Sequence, residues 1–242
     1  MGAMSMAIRA LTLTAALGLL VTGCATRFQS RINTYLSHDL PFPSTEQNVR
    51  VAVVAEADPD EPLLEREVTR KVEHLLRERG YAVGSLEETD YVLLASFAID
   101  SGNTVSGTYD VSVPGETVRT HYYTRRGWRG TRITRLHWRR EQRFYSYTIF
   151  TCFLGMTLYD HPRYLAADQE HRDQAIVWQS TTMSSGSSSD LRSVIDYLLV
   201  ATFEYFGQDT GKQVREALSE GSRRVKALRE AVRAGVQDTA EN

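Results

Sequence analysis

The sequence predicts an α/β (α+β) protein: a mixed, largely antiparallel sheet with helices packed on one face, plus a C-terminal amphipathic helix. Three observations carry this. Short apolar runs such as the β-branched 49–54, and 91–97, alternate with turn signals, as strands do. Two long stretches, from Leu64 and from Leu191, repeat apolar residues at helical spacing. The 242 residues are 42% hydrophobic and 24% charged, which supports one large packed core and excludes global disorder. A net charge of −2 excludes a generally basic nucleic-acid binder, and two cysteines exclude a disulfide scaffold.

The first segment reads as an address. Arg9 precedes the uncharged apolar run 10–21. That run is shorter than the ~20 residues a spanning helix needs, and it fits the hydrophobic region of a secretory signal. It ends Val21-Thr22-Gly23-Cys24, which looks like a bacterial lipobox, where the cysteine is acylated and the chain is cut before it. This predicts a signal peptide over 1–23 and a membrane anchor at Cys24; the other reading is a secreted protein with an incidental cysteine. Ala25, in place of a retaining aspartate, points to the outer membrane and its periplasmic face. Residues 24–48, with Pro41 and Pro43, read as a tether with one short ordered piece near 28–36. Its fully extended reach is ~80 Å.

Strand 49–54 opens the α/β domain, expected over 49–206. Asp58-Pro59-Asp60-Glu61-Pro62 turns the chain into a helix whose stripe is Leu64, Val68, Val72, Leu75 and Leu76, and Gly80 caps it. Strands follow at 81–83 and 91–97. Tyr109, Val111 and Val113 alternate with polar residues, Pro114-Gly115 turns the chain, and 118–123 returns as the hairpin partner. The run 143–158 is apolar on both faces over 149–156, which suits a central strand, and 175–180 is another strand. The serine-rich stretch 184–189 reads as a loop leading to a cap at Ser189 or Asp190. Leu191, Val194, Ile195, Leu198, Leu199 and Phe203 form the next helical stripe. A final helix is expected within 207–235, its seam Val214, Leu218, Val225, Leu228 and Val232, lying on its own domain or on a partner, with a disordered tail at 236–242.

The lipobox at Cys24, the helix end Leu75-Leu76-Arg77-Glu78-Arg79-Gly80-Tyr81, Thr89-Asp90-Tyr91-Val92-Leu93, Ile176-Val177-Trp178-Gln179 and the helix from Leu191 carry a resemblance. In this order they resemble the bacterial lipoproteins of the domain-of-unknown-function 4136 family, over about residues 49–206. The resemblance implies an envelope lipoprotein with an α/β domain. It supplies no activity and no catalytic residues. The arginine-rich middle and the final helix depart from that family's compact pattern.

That middle is the strongest anomaly. Residues 117–143 hold nine arginines, no lysine and one acid, Glu141, hence +8 on a chain that totals −2. Tyr122, Tyr123, Trp128 and Trp138 are interleaved with them. Arginine pairs bidentately with phosphate and carboxylate and stacks on aromatic rings. The segment about 107–143 is therefore expected to be a hairpin insertion. Arg119, Arg125, Arg126, Trp128, Arg129, Arg132, Arg135, Trp138, Arg139 and Arg140 are its candidate binding residues. The partner is an anionic envelope component or a protein; a charge-balancing role within the fold is the alternative. Export argues against nucleic acid.

Enzyme signals are poor: the sequence has no phosphate-binding glycine loop, nucleophile elbow, zincin helix or paired-cysteine metal site. Asp160-His161 and Glu170-His171 fall short of a metal site, and Cys152 reads as a small buried hydrophobe. The expectation is a non-enzymatic accessory or structural lipoprotein of the envelope with no cofactor and no metal. Its alternatives are an enzyme with an unrecognised site and a peripheral lipid-binding module.

Overall fold

The computed structural model describes residues 27–56, 62–115, 117–123, 125–127, 129–135 and 138–240. The signal segment 1–23, Cys24 and Trp128 lie outside the described residues. The strands are β1 (Arg27–Leu36), β2 (Arg50–Glu56), β3 (Ala82–Val83), β4 (Tyr91–Ile99), β5 (Asn103–Val113), β6 (Thr117–Tyr123), β7 (Arg129–Arg135), β8 (Arg139–Asp160), β9 (Ile176–Gly186) and β10 (Val214–Ser219). The helices are α1 (Pro62–Glu78), α2 (His161–Ala166), α3 (Leu191–Phe203) and α4 (Arg223–Ala240). The chain divides into two units, Met1–Asp100 with Phe150–Asn242, and Ser101–Ile149.

In the first unit the sheet order is β10-β1-β9-β8-β4-β2-β3. The pairs are antiparallel from β10 through β4. β2 runs parallel to both β4 and β3, because α1 carries the chain across between β2 and β3. α1 packs on β2 and β3, α3 packs on β1, β9 and β10, and α1, α3 and α4 pack on one another. The sheet is therefore covered on one face. Inward positions such as Ile32, Leu93, Leu154, Met156 and Trp178 are fully buried, whereas Tyr35, Val54 and Phe153 on the other face are exposed. The α+β class and the mostly antiparallel sheet are as the sequence predicts. None of the helices among the described residues is long and apolar enough to cross a membrane.

α1 follows the sequence pattern: Leu64, Val68, Val72, Leu75 and Leu76 are all buried. Gly80 ends it at φ +88°. There the Gly80 N–H donates to the Arg77 carbonyl at 3.0 Å and the Tyr81 N–H to Leu76 at 3.1 Å, so two orphan carbonyls are satisfied. Thr89 and Asp90 hold the start of β2: the Thr89 hydroxyl donates to the Arg50 carbonyl at 2.8 Å, and Asp90 accepts the Arg50 N–H at 2.9 Å.

Several expectations are corrected. The short ordered piece expected near 28–36 is β1 (27–36), and it is an interior strand between β10 and β9 rather than part of a tether. Its inward face carries Ser30 and Thr34 beside Ile32, so the apolar alternation is broken by small polar groups. The Thr34 hydroxyl donates to the Gln208 carbonyl at 2.8 Å, which makes that burial tolerable. Farther on, Leu40 is buried and Phe42 meets Phe206 at 5.3 Å. Near the other end, Val214 and Leu218 sit on a strand, β10, and the helix begins only at Arg223. A spacing of four is even, so it keeps two residues on one face of a strand as well as of a helix. Val225 and Leu228 do face the core, and the helix continues through 240, into the expected tail. The stretch 184–189 is strand as far as Gly186, and Asp190 caps α3 by accepting the Ser193 N–H at 3.3 Å.

In the second unit β5 pairs with the first half of β8 over Asn103–Val113, not with 118–123. β6 pairs instead with β7. Gly127, at φ +79°, supplies a second turn inside the arginine cluster. The insertion thus spans 101–149 rather than 107–143.

Candidate functional site

The arginines of the second unit are spread along two ladders whose register keeps like charges apart. On the hairpin Arg119 faces Ile133, Arg129 faces Tyr123, Arg132 faces Thr120 and Arg135 faces Thr117. On the β5–β8 ladder Arg139 faces Val113, Arg140 faces Ser112 and Arg143 faces Tyr109. Among the described residues of these two ladders no arginine opposes another, so the destabilisation that like charges cause across a ladder is avoided there. Arg119, Arg125, Arg126, Trp138, Arg139 and Arg140 are all exposed. The structure gives Arg129, Arg132 and Arg135 their strand positions only. Among the described residues Arg139 and Arg143 each stand 3.9 Å from Glu141, and Arg119, Arg125, Arg126 and Arg140 form no ion pair. Exposed rings share the ladder: Tyr109, Tyr145 and Tyr147 lie in a row with centroids 6.2 and 5.9 Å apart.

A second charged site, in the first unit, was not singled out from sequence. Lys71 of α1 is 2% exposed and Asp196 of α3 is 3% exposed. Lys71 Nζ lies 2.5 Å from Glu67 Oε1 and 2.5 Å from Asp196 Oδ1, the latter an ion-pair contact without hydrogen-bond geometry. Arg229 of α4 donates its Nε–H to Asp196 Oδ2 and a terminal N–H to the Ser193 carbonyl. Arg192 pairs with Glu67 at 2.6 Å. The chain of charges Arg192, Glu67, Lys71, Asp196, Arg229 alternates in sign and ties three helices together. Burial resists ionisation of Glu67, but its bonds to Lys71 and Arg192 outweigh it and hold the carboxyl below the usual glutamate value. The signals were a lone acid in an otherwise apolar helix and a Glu–Lys pair at i, i+4.

The remaining candidates have structural jobs. Cys152 is buried and unpaired, and burial, with Asp100 and Asp190 nearby, pushes its thiol up to about 11. Asp160 caps α2 by accepting the Arg163 N–H, and the buried His161 ring bonds to the Thr89 carbonyl oxygen at 3.1 Å. Trp178 donates its indole N–H to Gln208 at 3.1 Å and packs on Phe206. No group of three or more metal-ligating side chains occurs among the described residues.

No protein-family model matches the chain, and no curated protein does. Among solved structures it is similar to a PDZ domain protein from Parabacteroides distasonis, at 13% identity and a TM-score of 0.39, over 86% of this chain and 42% of that one. The chain thus spans less than half of that protein's length. It is also similar to the PelC dodecamer from Paraburkholderia phytofirmans, at 13% identity and a TM-score of 0.37, over 75% of this chain and 99% of that one. A variant PelC dodecamer from the same organism gives 12% identity and a TM-score of 0.36, over 71% and 92%. Likeness this slight identifies no activity.

Proposed function

We propose that the chain is a bacterial envelope lipoprotein, acylated at Cys24 and held at the periplasmic face of the outer membrane. In this reading its arginine-rich unit binds an anionic envelope component and catalyses no reaction. One observation supports the binding role. Arg119, Arg125, Arg126 and Arg140 are exposed and form no ion pair among the described residues. Arginines that merely balanced the fold's own acids would be paired with carboxylates. Exposed guanidinium groups without a carboxylate partner are free to take phosphate or carboxylate from outside.

The test is sedimentation with phosphatidylglycerol vesicles, using the Cys24→Ala chain so that no acyl group contributes. The expected result is salt-sensitive binding that is absent with neutral phosphatidylcholine. Replacing Arg125, Arg126, Arg139 and Arg140 by glutamine weakens it at unchanged melting temperature. Unchanged binding by that folded variant overturns the assignment. Intact mass at Cys24 tests the anchor separately.

A further inference from the structure

The alternating charge chain described above forms one wall of a groove of about 970 Å3 between α1, α3 and α4. The groove is lined by six cations, Arg66, Arg70, Lys71, Arg192, Arg229 and Arg233, against three carboxylates, Glu67, Asp190 and Asp196. Lys71 and Arg229 are committed to Asp196, Arg192 is committed to Glu67, and Asp190 caps α3. Arg66, Arg70 and Arg233 are exposed and form no ion pair among the described residues. The groove therefore carries a surplus of positive charge on three unpaired side chains. A second cavity of about 610 Å3 adjoins it and shares Leu63, Glu67, Asp190 and Arg192. Its other walls include Pro62, Leu64, Ile99 and Leu191 and bring no further cation. A cationic space beside an apolar one, each within the size range of ligand sites, matches a molecule with the same division.

We infer that the two cavities bind an anionic amphiphile. A phosphate head lies among Arg66, Arg70 and Arg233, and the alkyl chain lies along Leu63, Leu64, Ile99 and Leu191. The guanidinium fork suits phosphate oxygens, and the buried ion network fixes the spacing of the helices that present the forks. This site is independent of the arginine-rich unit.

The test is calorimetric titration of the full Cys24→Ala chain with three probes. These are dodecyl phosphate below its critical micelle concentration, inorganic phosphate, and dodecyl maltoside as a neutral alkyl control. Dodecyl phosphate is expected to saturate a single site at least about ten-fold more tightly than either other probe. Arg66→Gln, Arg70→Gln and Arg233→Gln combined weaken it by about ten-fold or more at unchanged melting temperature. Replacing Arg125, Arg126, Arg139 and Arg140 leaves it intact. The inference is overturned by absence of saturable binding, by equal affinity for the maltoside, by full affinity in the groove variant, or by loss of binding in the variant of the arginine-rich unit.

Discussion

Tyr145 covers Gly107, its direct partner across the β5–β8 ladder. A Cβ added to Gly107 would meet the phenol oxygen at 2.6 Å and Cζ at 2.8 Å. The hairpin repeats the device, with Tyr122 set over its own partner Gly130. Glycine weakens a strand, and a ring folded over it restores apolar cover. Gly107→Ala is therefore expected to displace Tyr145 and loosen the second unit alone. Limited proteolysis should show faster cleavage within 101–149, with the fragments of the first unit as resistant as before. An unchanged cleavage pattern would count against the covering role.

β1 is part of the core, and this has a measurable cost. Ile32 is fully buried, so Ile32→Ala should lose ~2–5 kcal/mol in urea unfolding. Arg31→Ala, next to it on the exposed face, should stay within about 0.5 kcal/mol.

The Lys71–Asp196 pair is expected to be costly to break and cheap to replace. Lys71→Met strands a buried carboxylate with one remaining partner and should cost ~3–5 kcal/mol. Adding Asp196→Leu should recover most of that loss. A double-mutant cycle showing simple additivity would contradict the coupling.

Glu67 ties stability to acid. Its carboxyl is held below its ordinary value of 4.5, so the folded state binds that proton less readily than the unfolded state. Its contribution is complete above about pH 4.5 and fades as pH falls through the folded value. Glu67→Gln should flatten this part of the acid-unfolding curve and leave the slope above pH 6 alone.

Cys152 is expected to be inert. With its thiol pushed up to about 11 and its side chain buried, iodoacetamide at pH 8 should leave the folded protein unmodified and label it fully in denaturant.

The parts of this fold legible in the sequence are those where apolar residues alone set the pattern. α1, with its five-residue stripe and Gly80, falls where the periodicity puts it, and so does the central run of β8. β1 was legible only as a short ordered piece because Ser30 and Thr34 take inward positions, and the burial of Thr34 depends on a hydrogen bond to a distant segment, the Gln208 carbonyl. β10 was misread because Val214 and Leu218 are equally compatible with both periods. At the sites, the arginine cluster was visible as charge, but its register was not: which residue faces Arg139 is decided by a strand some thirty residues earlier. The Lys71–Asp196 contact joins positions 125 apart, and no local pattern announces it.

β1 begins at Arg27, and that shortens the leash. With an acyl group on Cys24, two residues, ~10 Å of chain, separate the lipid-bearing cysteine from an interior strand of the sheet, where a tether through residue 48 would have allowed ~80 Å. If Cys24 is acylated as proposed, a body held so closely would not patrol the gap between two membranes. On the proposed anchoring it would ride on its own leaflet, and any partner fixed to another layer would have to come to it.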